Sequence, residues 1–226
     1  MKIDFKSFTK KWNRPPKNQF PTGTIVYKNH QGSGKTLSMC HDALDIAERF
    51  PNCKIYSNVK LKFNRDYYFY ESDKDLERAL ADANGVQGVL ILIDEAHLYF
   101  SKKNGISLES LTAISQQRKD RRLILMTSQI WEELDISTRK QVKTIVKCTC
   151  LFNRIQINTF FDGHSLKYDN RLNDYTANKL YTSIFKHNQE LYDSYDTYQK
   201  IIPNKDLDIR YKVYNTHPIN NIKIKS

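Results

Sequence analysis

Apolar positions along this chain recur in two periods, and the switches between them mark out its elements. Ile25, Val26 and Tyr27 run together and predict a short buried strand. After a glycine-containing loop, Leu37, Cys40, Leu44, Ala47 and Phe50 recur at three- and four-residue spacing, which predicts a helix over 36–50 ended by Pro51-Asn52. KIYSNVKL (54–61) alternates as a strand, and YYFY (67–70) predicts a second short one. SDKDLERALADA (72–83) opens on Ser72 as a helix cap and carries Leu76, Ala79, Leu80 and Ala83 on one side. VLILI (89–93) is a continuous apolar run, the pattern of a parallel strand covered on both faces. The stretch 107–122 predicts a helix with Leu108, Leu111 and Ile114 inward, closing on Arg118, Lys119, Arg121 and Arg122. LILMTSQ (123–129) is a second buried strand, and 130–142 has the character of a loop. Two further strands follow over 145–152 and 154–163 with a tight turn at Asn153, the first able to extend the central sheet. Over 174–200 the pattern predicts at least one helix, with Leu180, Ile184 and Phe185 as its apolar positions. Strands alternating with helices give an α/β fold.

Composition narrows the class. The chain has 226 residues, room for one α/β domain and an appendage. It divides into a basic, proline-punctuated arm (1–22), a core (23–163) and an extension rich in Tyr, Asn, Lys and Asp (164–226). In the arm, Phe5, Phe8 and Trp12 are spaced like one helix face, suited to docking on the core or a neighbouring subunit; contact with DNA is the alternative. The net charge of +11 points to a polyanionic partner, nucleic acid first and an anionic membrane surface second. Cys40, Cys53, Cys148 and Cys150 lack CxxC spacing and predict reduced thiols in an intracellular protein. There is no apolar signal core at the start, and no run approaches the roughly 18 residues of a membrane span, so a soluble chain is expected.

The chemistry concentrates at two strand ends. NHQGSGKT (29–36) follows the first strand and opens the first helix. Strand, glycine loop, Lys-Thr and helix form the phosphate-binding loop of nucleotide triphosphatases. Glycines let backbone N–H groups approach phosphate oxygens, and the helix N-terminus adds positive potential. Asn29, His30, Gln31, Gly32, Ser33, Gly34, Lys35 and Thr36 are thus the nucleotide-binding candidates. Lys35 is expected to reach the β- and γ-phosphates, and the Thr36 hydroxyl to hold Mg2+. The pattern GxxxxGK[ST] wants glycine where this chain has Asn29, the non-glycine residue most tolerant of left-handed backbone. The run 89–93 then ends in Asp94-Glu95, at the carboxyl end of a strand, where open α/β sheets bind ligands. Asp94 is expected to hold Mg2+ directly or through Thr36, and Glu95 to polarise the attacking water as general base. Gln129 ends the next buried strand, within reach of a γ-phosphate or the lytic water. Ser57-Asn58 either approaches the nucleotide or simply ends its strand.

Taken in order, this phosphate loop, acidic strand end, basic helix end and Gln-terminated strand resemble the FtsK–HerA class of P-loop ATPases. The specific part is RKDRRLILMTSQ (118–129). The resemblance implies a RecA-like (ASCE) fold with a mostly parallel sheet flanked by helices. It also implies ATP and Mg2+ as cofactors, Gln129 as a sensor and Arg118 as a finger offered to a neighbouring subunit; Arg121, Arg122 and Arg139 compete for that role. Within the class the chain is most similar to viral genome-packaging ATPases and to zonula-occludens-toxin-like assembly proteins of filamentous phages. YSNV (56–59) and LYDSY (191–195) are similar to the second group. Residues 23–150 carry the resemblance.

What it implies is a homo-oligomeric motor, a ring, that moves double-stranded DNA without sequence preference into a capsid. Such a motor sits in the host cytoplasm or on the virion, docked on a capsid or membrane vertex protein. The loop 98–107, with Lys102, Lys103 and Asn104-Gly105, is the candidate DNA contact. The alternatives are an assembly and export ATPase, a helicase-like ATPase, and a nucleotide-dependent regulatory switch.

Overall fold

Among the described residues a sheet of nine strands, in the order Lys179–Lys186, Ile155–Asp162, Val142–Leu151, Gly23–Lys28, Arg122–Ser128, Val89–Ile93, Lys54–Ser57, Tyr67–Phe69 and Lys212–Tyr214, forms the middle of the molecule. The computed structural model describes residues 19–102, 106–170, 174–196 and 212–214. The parallel heart is β1 (Gly23–Lys28), β2 (Lys54–Ser57), β3 (Tyr67–Phe69), β4 (Val89–Ile93), β5 (Arg122–Ser128) and β6 (Val142–Leu151). β7 (Ile155–Asp162) and β10 (Lys179–Lys186) add antiparallel on one side, and β11 (Lys212–Tyr214) on the other. A separate ribbon pairs β8 (Lys167–Asp169) with β9 (Asp174–Thr176). The large sheet therefore runs past residue 163 to include β10.

Both faces are covered, so β4 and β5 are buried at every position, and β4 is apolar throughout. Tyr27, Leu90, Leu92, Leu123 and Leu125 point to one side, against α1 (Lys35–Arg49) and Leu191 of α5 (Gln189–Asp193). Val26, Ile91, Ile93, Ile124 and Met126 point to the other, against α2 (Asp73–Ala81) and Ile114 of α3 (Leu108–Ser115). Ser72 caps α2 as its sequence predicts, its side chain accepting from the Asp75 N–H. The short helix α4 (Ile136–Lys140) lies where a loop is expected. Among the described residues no helix is long and apolar enough to cross a membrane.

Three expectations change. The strand over 54–61 stops at Ser57, because the Ser57 hydroxyl bonds Val59 and the Asn58 amide turns to another strand. The helix over 107–122 is only α3, since 116–121 offers no apolar face to bury; its first residue, Leu108, is 74% exposed. Leu180, Ile184 and Phe185 lie on β10 and not on a helix. A spacing of four satisfies both a period of two and a period of 3.6. Here Tyr181 and Phe185 pack on the core while Leu180 and Ile184 face outward. The helix of this region is α5, which begins three residues after β10 ends. The arm through residue 18, and Lys103, Asn104 and Gly105, lie outside the described residues.

Candidate active site at the carboxyl edge of the sheet

β1, β4 and β5 are neighbours and parallel, so their carboxyl ends deliver three segments to one place. From β1 comes the glycine loop. Gly32 and Gly34 take φ of 78° and 79°, the left-handed turns the loop needs, and α1 begins at Lys35. His30 and Gln31 lie exposed on the rim, whereas Ser33 and Lys35 are buried. The Lys35 ammonium donates to the His30 carbonyl at 3.1 Å. Its burial pulls its pKa below the usual lysine range, against the opposing pull of Glu95 and Asp94. Asn29 does not use left-handed backbone, since among the described residues only Glu95, Arg121, Phe152 and Asn153 do so without being glycine. It fastens the loop through its side chain instead. Its Nδ2 donates to the Cys148 carbonyl on β6 at 2.6 Å, and its Oδ1 accepts from the His30 N–H.

The ends of β4 and β5 supply the acidic half. Asp94 Oδ1 accepts from the Thr36 hydroxyl at 2.9 Å and from the Thr127 hydroxyl at 2.6 Å. Its backbone is clasped by Asn58, which accepts from the Asp94 N–H and donates to the Asp94 carbonyl. Burial raises the Asp94 pKa, with the two hydroxyls opposing and Glu95 adding to the rise. Glu95 has φ 52° and ψ 51°, left-handed for a residue with a side chain. Thr127 Oγ1 accepts the Glu95 N–H at 2.9 Å. Glu95 Oε1 accepts from Gln129 Nε2 at 2.7 Å, and Oε2 faces His97 Nδ1 at 3.4 Å. The left-handed turn is thus what lets adjacent residues serve one site from a strand whose side chains otherwise alternate.

This donor set fits a triphosphate with a magnesium ion. A hydroxyl and a carboxylate already share a hydrogen bond, and Mg2+ asks for one or two protein ligands beside phosphate oxygens and water. Ser33 Oγ is buried with no partner among the described residues, and the Lys35 side chain is buried beside the loop.

Of the residues expected here, Asn29 through Thr36, Asp94, Glu95 and Gln129 converge. Arg118 does not. It lies in the turn before β5, at the opposite edge of the sheet; the six residue steps along β5 (Arg122–Ser128) span about 20 Å. Arg122, one of its competitors, is committed to the fold. It is 1% exposed and donates to the carbonyls of Ala113 and Asp82 and to Asp120. Arg139 donates to the Tyr175 hydroxyl at 3.4 Å. Sequence reasoning gave no role to Thr127, Gln156 or Asn158. Gln156 and Asn158 sit on β7 at 0% and 1% exposure. Their signal was parity: in RIQIN they occupy the inward positions, where an apolar side chain is expected.

Comparison with known proteins agrees with this geometry. No curated protein matches the chain. Among solved structures it is similar to the N-terminal domain of zonular occludens toxin from Neisseria meningitidis, with 18% identity, a TM-score of 0.55, and coverage of 78% of this chain and 100% of that one. It is also similar to the genome packaging NTPase B204 from Sulfolobus turreted icosahedral virus 2 in complex with ATP-gammaS, at 12% identity and TM-score 0.50, covering 70% and 97%. B204, the DNA-packaging ATPase from Sulfolobus Turreted Icosahedral Virus, matches at 14% identity and the same TM-score and coverage. These likenesses show the P-loop NTPase fold. The family model for zonular occludens toxin (Zot) matches residues 24–199, most of the chain and both halves of the site, and the protein belongs to the Zot family.

Proposed function

We propose that the chain is a Mg2+-dependent ATPase that works as a motor on DNA. The observation that carries the ATPase reading is one hydrogen-bonded line from loop to strand ends. Thr36 and Thr127 meet on Asp94, Thr127 also holds the Glu95 N–H, and Gln129 holds the Glu95 carboxylate. In this reading Lys35 and the loop N–H groups bind the triphosphate. Thr36 and Asp94 hold Mg2+, which supplies charge neutralisation when bound. Gln129 turns its amide from Glu95 toward the γ-phosphate, freeing Glu95 Oε1 to accept a proton from the attacking water.

Arg118, remote from its own site, acts on a neighbouring subunit's nucleotide in a ring of copies. Lys102, exposed and tied by its backbone N–H to the Glu133 carbonyl, contacts the DNA backbone. The net charge of +11 supports a polyanionic cargo gripped without sequence preference. Packaging into a capsid is the reading that the likeness to the B204 fold supports. The family match over 24–199 favours a second one, assembly and export of filamentous virions with the motor docked on a membrane vertex protein.

Steady-state ATPase rates with and without duplex DNA, at two salt concentrations, separate the two. Packaging predicts strong stimulation that fades with salt; a rate indifferent to DNA rejects it in favour of assembly and export. In the same assay Glu95→Gln is expected to lower turnover at least about 100-fold with ATP binding retained. Full turnover in that variant rejects the catalytic assignment.

A further inference from the structure

The glycine loop leans on a side chain from β7, two strands along the sheet from β1. Gln156 of β7 is wholly buried, and its Nε2 donates to the Ser33 carbonyl at 3.0 Å and to Asn158 Oδ1 at 3.1 Å. Asn158 Oδ1 also accepts from the Ser38 hydroxyl on α1. Gln156 Oε1 lies 3.3 Å from His187 Nε2, just beyond β10, and His187 Nδ1 meets the Tyr192 hydroxyl of α5 at 2.6 Å. A Cβ at Gly34 would overlap the Gln156 amide, so the two are packed as one unit.

We infer that Gln156 is a positioning residue for the triphosphate, aiming the Gly34 N–H by holding the Ser33 carbonyl. Carbonyl and N–H point in opposite directions across a planar trans peptide. Pinning the Ser33 carbonyl to β7 therefore sends the Gly34 N–H away from β7. The near side of the loop is filled by Gln156 itself, so a phosphate approaches from the side to which that N–H points. The glycine makes the peptide easy to turn, and Gln156 removes that freedom before ligand arrives. With its proton on Nε2, His187 donates to Oε1 and so backs the amide orientation that leaves the Gln156 Nε2 for Ser33 and Asn158. This role rests on the ATPase reading above.

The test uses the full chain, a fluorescent ATP analogue and steady-state hydrolysis. Wild type is expected to bind the analogue and Lys35→Ala to lose it; no binding by wild type overturns both the ATPase reading and this inference. Gln156→Leu keeps the volume against Gly34 and deletes the amide. Its Kd and KM are expected to rise about tenfold, the effect of one lost hydrogen bond on a buried carbonyl, while kcat at saturating ATP stays within about twofold. An unchanged Kd in folded Gln156→Leu, with Lys35→Ala still deficient, overturns the role of Gln156 and leaves the ATPase reading standing. Equal losses in kcat and kcat/KM overturn it as well, since they place the defect in chemistry and not in binding. If Gln156→Leu does not fold, His187→Phe replaces it, with a rise of about threefold expected and an unchanged Kd counting against the inference.

Discussion

One hydroxyl, that of Thr127, ties the two acidic residues together by donating to Asp94 and accepting from the Glu95 N–H. Thr127→Val keeps the shape and removes both bonds. Expected is a loss of about 1–3 kcal/mol in unfolding free energy from the stranded partners, together with a fall in turnover of at least about tenfold. Thr127→Ser should restore most of both, as urea melts and kcat would show. Lys35, Thr36, Asp94, Glu95 and Gln129 were legible in the sequence because each is set by spacing along one strand or loop. Thr127 and Asn58 act through register between β5, β4 and β2, which no local pattern encodes. Asn29 was legible as a position but not as a device. Its tolerance of left-handed backbone is unused, and its work is a side-chain bond to β6.

At the level of elements, the segment between α3 and β5 separates two arginines that look alike in the sequence. Arg122 begins β5 and is built into the fold, whereas Arg118 stands exposed in the preceding turn. Arg118→Ala is expected to leave the melting curve unchanged and, if the finger acts in trans, to lower turnover by about 10³ or more. Arg122→Met is expected to do the reverse, lowering stability by about 3 kcal/mol with turnover of the folded fraction nearly intact. Both are read from thermal melts beside ATPase rates. The parallel strands were legible because an unbroken apolar run admits few other fates. β10 was not, because its apolar positions also fit a helix and the strand it pairs with, β7, is set by a hairpin further back. The end of α3 was missed for the opposite reason: a run of helix-forming polar residues is no helix without something to bury.

Across the whole molecule, two packed layers on one sheet leave ionisable groups deep inside. Burial pushes the Cys148 thiol up to about 12 and the Tyr99 phenol to about 12. Unfolded, they ionise near 8.5 and 10 respectively. The unfolded chain therefore releases these protons first, and stability that is fully present below about pH 8.5 is lost as pH rises toward 12. Cys148→Ala is expected to flatten that decline, seen as a shallower fall of the urea midpoint with pH; an identical slope would reject the assignment. Glu95 sets a different limit on robustness. A side-chain-bearing residue in left-handed backbone costs about 1 kcal/mol that glycine does not. One base change converts a glutamate codon into a glycine codon. With Glu95 in the role proposed above, the sturdier protein lies a single nucleotide from the working one, and selection for thermal endurance pulls position 95 against selection for turnover.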